Sequence, residues 1–279
     1  MTLKTYFARA LAGAGLALAI AATASQAQQP AKKPFEPFSG QPGKDVVWVP
    51  TPQALVDKML DVAKLTPADI HYDLGSGDGR TVITAAKRGA TSVGIEYNPE
   101  MVELSKQNAV KEGVTAKVTF MKADLFETDF SKANVLTLFL LPDINRRLRP
   151  KILEMKPGTR VVSNSFDMGE WEPDERFDVS NSDCVSYCRG LYWIVPAKVQ
   201  GTWKAGSTEI TFNQTFQMVS GTVKDGNVIA PITKGRITGE TIAFTAGGTD
   251  YTAKVNGNAI EGVVKAAGKE SKFQASKAN

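Results

Sequence analysis

"DLGSGDGR", residues 73–80, sets Gly75, Gly77 and Gly79 in alternate positions directly behind "ADIHY", which reads as the start of a buried strand. A glycine-rich loop between a strand and a helix presents backbone N–H groups and a helix N-terminus to a ligand. The residues around it decide which ligand. A triphosphate cradle needs Lys and Ser/Thr directly after the glycines, to neutralise phosphate and hold magnesium. Here Arg80 and Thr81 follow, and the G-x-x-x-x-G-K frame is absent. A dinucleotide loop runs G-x-G-x-x-G, but its third glycine position is held by Arg80, and carboxylates stand at Asp73 and Asp78. Carboxylates repel a pyrophosphate and attract a cationic ligand that carries an amino acid.

Two further acids sharpen this. Glu96 ends the next strand candidate, "SVGIE", 23 residues beyond Asp73, where a carboxylate accepts hydrogen bonds from both ribose hydroxyls. Asp124 closes the following strand in "KADLF", placed toward an adenine amino group. Acids at the carboxyl ends of three successive strands, where α/β sheets bind ligands, select S-adenosylmethionine as the cofactor. "YDLGSGDGR", "GIEYNPEMVELSKQNA" and "KADLF" resemble the first three motifs of class I S-adenosylmethionine-dependent methyltransferases. More narrowly, "VPTP", "DLGSGDGR", "GIEYNP" and "LPDINRRLRPKI" are similar to small methyltransferases that include mitochondrial protein-lysine methyltransferases and bacterial relatives.

The resemblance implies cofactor contacts at Asp73, Gly75, Gly77, Glu96 and Asp124, with Asp78 in the same loop and Thr51 reaching in from the N-terminal side. It also implies methyl transfer to protein lysine or another amine nucleophile. The sulfonium already activates the methyl group, so the protein's task is to align the nucleophile and exclude water. Acceptor-side candidates are Leu141, Pro142 and Asp143. Asp143 is the catalytic candidate, able to orient or deprotonate an amine, with capping of the helix near Ile144 as its competing role.

Working outward, the spacing predicts a doubly wound α/β domain over residues 46–197. Thr51 is expected to cap a helix with Pro52 at its first position and Leu55, Val56, Met59, Leu60 and Ala63 on its buried face. Strands at 70–74, "SVGIE", "AKVTFMKAD" and "NVLTLFLL" alternate with helices at about 80–88, Pro99–Glu112 and "INRRLRPKILEM". The apolar run "VLTLFLL" suits a strand buried on both faces. "TRVVSNS", "RFDVSN" and "GLYWIVPA" supply three more strands. Residues 198–279 carry the turn signals "DG", "KG", "TGE", "GG" and "NG" without a helical pattern, so a separate antiparallel β domain, barrel or sandwich, is expected there. Its opening "GTW" is similar to the Gly-x-Trp of lipocalin-like barrels.

At the N-terminus, Lys4 and Arg9 precede the apolar run "ALAGAGLALAIAATA", with Ser25 and Ala27 at the positions a signal peptidase reads. This predicts a signal peptide over residues 1–27, export to a periplasm and no membrane span after cleavage. Residues 28–45, rich in Pro, Gly, Gln and Lys, are expected to be a flexible linker. The net charge of +4 is mild and its lysines are not interleaved with aromatics, so no nucleic-acid partner is expected; the methyl acceptor is unknown, with a protein as one candidate. No metal site is expected, because the only His is His71 and the only cysteines are Cys184 and Cys188. His71 reads as a core histidine. On one straight strand the two cysteines would stand about 13 Å apart, so a disulfide between them requires a turn. Export sits awkwardly with a cytoplasmic cofactor. The alternative reading is therefore an exported binding protein that senses an adenosine compound and recruits a partner through its β domain.

Overall fold

The computed structural model describes residues 35–179 and 184–278. The signal-peptide expectation lies outside these residues. Described residues from Phe35 onward form one unit. In chain order its first half comprises α1 (Gln53–Val62), β1 (Ile70–Leu74), α2 (Arg80–Lys87), β2 (Thr91–Glu96), α3 (Pro99–Lys111), β3 (Val118–Lys122), β4 (Val135–Leu138), α4 (Pro142–Leu153), β5 (Arg160–Asn164), β6 (Glu175–Asp178) and β7 (Arg189–Ile194). The strands form one sheet in the order β3-β2-β1-β4-β5-β7-β6. β1 to β5 are mutually parallel, while β7 runs antiparallel to both β5 and β6. Strand order reverses between β1 and β4, which opens a crevice at their carboxyl ends.

All four expected helices are present, α1 and α4 with starts displaced by one and two residues. The stripe Ile144, Leu148 and Ile152 of α4, with Met155 just beyond it, packs on one sheet face with Leu136, Leu138, Trp171 and Trp193. On the other face Leu55, Met59 and Ala63 of the α1 region meet Val135, Val162 and Tyr192. Every residue of β4 is buried, as expected for a parallel strand covered on both sides. α3 starts with Asn98, whose side chain accepts the Glu100 N–H, followed by Pro99. The start of α1 differs from expectation by one residue. Pro52 occupies the capping position without a side-chain bond, and the buried Thr51 is engaged elsewhere.

The second half is a closed eight-strand antiparallel barrel: β8 (Gly201–Ala205), β9 (Thr208–Thr215), β10 (Met218–Asp225), β11 (Val228–Thr238), β12 (Thr241–Ala246), β13 (Thr249–Asn256), β14 (Ala259–Ala266) and β15 (Lys269–Lys277). Consecutive strands pair, and β15 closes on β8 through Ser276 beside Lys204. Closure removes the unpaired edges that an open sheet of this length would expose. Its interior is filled by side chains, among them Trp203, Phe212, Ile237, Phe244, Ile260 and Phe273. Trp203, from the "GTW" stretch, is fully buried and donates its Nε1 hydrogen to the Val199 carbonyl at 2.7 Å. One turn signal misled: Lys234-Gly235 is a bulge inside the long strand β11, where the register shifts between Thr233 and Arg236. A Cβ at Gly235 would lie 2.1 Å from the Val219 carbonyl oxygen, so only glycine fits.

The barrel, expected as a separate β domain, is docked on the sheet. Arg236 pairs with the Asp174 carboxylate, Gln217 donates to the Glu172 carbonyl at 2.7 Å, and Phe216 stacks on Trp171. These contacts all fall on the β5–β6 connection, so the barrel braces a segment that leaves the ligand end of the sheet. No described helix is long and apolar enough to cross a membrane.

Candidate active site

The crevice at the carboxyl ends of β1, β2 and β4 is a cavity of about 1050 Å3, mouth included, lined by Thr51, Asp73, Gly75, Gly77, Asp78, Glu96 and Asp124 among others. The sequence-predicted cofactor residues are thus brought together, although they come from the segment before α1 and from the ends of three strands.

The glycine loop is built by backbone geometry that side chains oppose. Gly75, Gly77 and Gly79 have φ of +80°, +53° and +82°, in the left-handed region where glycine is favoured. Gly75 and Ser76 both donate N–H groups to the Ile95 carbonyl, at 2.9 and 3.0 Å, which pins the loop to the end of β2. A Cβ at Gly79 would stand 2.9 Å from both Phe120 and Ser105, so this glycine lets α2 approach the sheet. The Glu96 carboxylate then ties two loops together. It accepts from the Gly77 N–H at 3.0 Å and from the Asn98 N–H at 2.9 Å.

Asp73 is buried and accepts a hydrogen bond from the Thr137 hydroxyl at 2.6 Å. Burial pushes its carboxyl up to about 7; the Thr137 hydroxyl opposes the rise, and the charges of Asp78 and Glu96 add to it. Thr137 also lies 2.8 Å from His71 Nε2. Because its one hydroxyl proton goes to Asp73, His71 must donate from Nε2, and Nδ1 then accepts from Ser92, 2.6 Å away. Burial holds His71 down to about 3, so it stays neutral. As the sequence suggested, it is a satisfied core histidine, here orienting the hydroxyl that serves Asp73.

Three expectations change. Asp78 lines the cavity, but its carboxylate is bound by the Arg80 guanidinium through Nε and Nη2, and Arg80 Nη1 donates to the Thr51 carbonyl at 3.0 Å. It therefore acts as a loop clamp, not as a free acid. Asp143 does not line the cavity. It sits in the first turn of α4, its side chain 83% exposed and paired with Arg146, because the helix begins at Pro142 and turns it outward. Leu141, not Asp143, is the capping residue, so neither the catalytic nor the capping role is met.

The third concerns the segment expected to be a linker. Its described part is folded over the cavity. Gln41 and Trp48 form a β-bridge, and Gln41 is buried. The Trp48 indole rests on Gly77, where a Cβ would meet its Nε1 at 2.4 Å. Lys44 pairs with Asp124, lies 4.8 Å from the centre of the Tyr97 ring, and holds the Asp124 carboxyl below its ordinary range. Sequence reasoning missed Lys44 because Pro- and Gly-rich segments carry no periodicity, and Trp48 because the extended entry after that segment was given no role in the site. The one available signal was the adjacency of "VVWVP" to the motif-bearing "TP".

Comparison with known proteins agrees with this geometry. Residues 73–175 match the model of the ANTKMT methyltransferase domain. The chain is 45% identical over 141 residues to a protein-lysine N-methyltransferase of Saccharolobus islandicus, covering 50% of this chain and 88% of that one. It is 33% identical over 120 residues to the adenine nucleotide translocase lysine N-methyltransferase of Mus musculus, across 42% of this chain and 52% of that one. A crystal structure of an RNA methyltransferase from Salinibacter ruber with S-adenosyl-L-homocysteine is 46% identical, superposes with a TM-score of 0.51, and is covered over 96% of its length and 54% of this chain. The chain belongs to the class I S-adenosylmethionine-dependent methyltransferases, and S-adenosylmethionine is its cofactor. The family-model match lies within the sheet domain.

Proposed function

We propose that this protein transfers the methyl group of S-adenosylmethionine to the ε-amine of protein lysine. The observation that carries the acceptor is the 45% identity to a protein-lysine N-methyltransferase across 88% of that relative. The donor set fits the cofactor. A buried carboxyl raised to about 7 at Asp73 gains most from a cationic partner, and the cradle at Gly77 leaves no room for a side chain. Asp73, Glu96, Asp124 and the loop from Gly75 to Gly77 would hold the cofactor, with Thr51 and Trp48 also lining the cavity. When bound, it supplies an electrophilic methyl group and a neutral thioether leaving group.

The chain's own residues supply placement. Glu96 anchors the loop through the Gly77 N–H, so a ligand bound there meets a fixed backbone. Leu138, Phe139, Leu140 and Ile144 give the cavity an apolar wall that excludes water from the transfer.

The 46% identity to a structure described as an RNA methyltransferase supports RNA as a second reading. One experiment separates them: incubation of the protein with methyl-tritiated S-adenosylmethionine and a bacterial extract, followed by nuclease or protease digestion and amino-acid analysis. Label in methyl-lysine is the expected result; label lost only to nuclease would replace the lysine reading with the RNA one. For location, we propose export directed by residues 1–27. The disulfide between Cys184 and Cys188 supports an oxidising compartment. The mature protein from its host is expected to begin near Gln28 by mass spectrometry, and an uncleaved cytosolic chain would contradict it.

A further inference from the structure

β5 ends at Asn164 and β7 begins at Arg189, and their register sets Asn164 opposite Gly190, beside the crevice. Two residues flanking this point, Ser165 and Tyr187, have left-handed φ of 61° and 55°. For a bulky residue such as tyrosine this is an unusual conformation that surrounding structure has to impose. Here it does. Cys184 and Cys188 close a tight loop with Cα atoms 5.8 Å apart, and the Cys188 carbonyl accepts the Val179 N–H at 2.9 Å. The Ser165 N–H donates to the Arg189 carbonyl at 2.8 Å. The Phe166 carbonyl is held by the Ser163 hydroxyl at 2.7 Å and by Asn145 of α4 at 3.2 Å.

What these constraints fix is a set of three rings. Phe139, which lines the cofactor cavity, lies 6.0 Å from Phe166 at an interplanar angle of 21° and 5.1 Å from Tyr187 at 62°. An aromatic cluster that served only packing would be buried, but Tyr187 is 43% exposed. The group therefore runs from solvent to the cavity wall. Aromatic faces take the aliphatic stem of a lysine and attract its ammonium or methylammonium head.

We propose that Phe139, Phe166 and Tyr187 form the subsite for the acceptor lysine side chain, and that the Cys184–Cys188 bridge positions Tyr187 within it. This rests on the lysine reading above. The test is the initial rate of lysine labelling against the concentration of heat-denatured total protein from a bacterial extract, alongside S-adenosylhomocysteine affinity by calorimetry. Tyr187→Ala and the double variant Cys184→Ser, Cys188→Ser are expected to raise the half-saturating acceptor concentration about twofold to fivefold, the range of an exposed cation–π contact. Tyr187→Phe is expected to keep the wild-type value, and all variants to keep cofactor affinity within about twofold, which shows that they are folded. Unchanged acceptor dependence in Tyr187→Ala, with wild-type lysine labelling intact, overturns the subsite and leaves the lysine reading standing. Absence of lysine label from a wild type that binds S-adenosylhomocysteine removes both.

Discussion

Replacing Glu96 with alanine is expected to weaken S-adenosylhomocysteine binding by at least about tenfold, the loss of a hydrogen bond to a charged group being worth roughly 1.5–3 kcal/mol. Two terms act in the same direction. A carboxylate at the end of β2 is removed from the cavity, and the Gly77 and Asn98 N–H groups lose the acceptor that joins their loops. Glu96→Gln separates the terms, because an amide oxygen can still accept from one N–H but brings no charge. It should fall between wild type and alanine. Calorimetry on protein whose thermal transition matches wild type is the measurement; equal affinities across the three proteins would remove Glu96 from the site.

S-adenosylmethionine affinity is expected to rise about eightfold between pH 6 and pH 7.5, following ionisation of Asp73 at about 7. The sign follows from the charges. A cationic ligand prefers the carboxylate, so binding below the free-protein pKa must displace a proton, and that cost vanishes above it. The same raised pKa works against the unliganded fold: between the unfolded value near 4 and the folded value near 7 the native state binds more protons, so Asp73's contribution to stability declines as pH rises through that window. His71 acts in the opposite sense. Held down to about 3 by burial, it favours the native state above its unfolded pKa near 6.5, and this contribution falls as pH drops from 6.5 toward 3. Calorimetric affinity at several pH values tests the prediction, and Asp73→Asn should flatten the curve. A flat wild-type curve would mean that Asp73 does not face the bound cation.

These two residues were legible in the sequence because their chemistry is coupled to periodicity. Asp73, Glu96 and Asp124 lie at or just beyond the carboxyl ends of β1, β2 and β3, and parallel strands deliver their ends to one edge of a sheet. The order of alternating elements therefore specified where the acids meet, and the structure brings all three to one cavity. The barrel was legible for a related reason, as turn residues recur at hairpin spacing.

What was not legible depended on contacts between segments. Asp78 is two residues from Arg80, and only the folded loop turns the guanidinium back onto it. Asp143 stands at the right place in the chain but faces outward from its helix, because α4 begins two residues earlier than expected, at Pro142. Lys44 lies at the end of a segment whose local composition indicates no fixed structure, and Trp48 in the extended entry just after it; pairing with Asp124 and contact with Gly77 fix both. Lys234-Gly235 shows the same limit, since a bulge and a turn use the same residue types. The aromatic subsite joins Phe139, Phe166 and Tyr187 from three connections, which no local pattern relates.

The most direct test of the whole account is titration of the purified protein with S-adenosylhomocysteine, in parallel with Asp73→Asn and Glu96→Ala. One-to-one binding by wild type, weakened in both variants, is the predicted result; no binding by folded wild-type protein, or binding that neither substitution disturbs, would contradict the assignment of this cavity as the cofactor site.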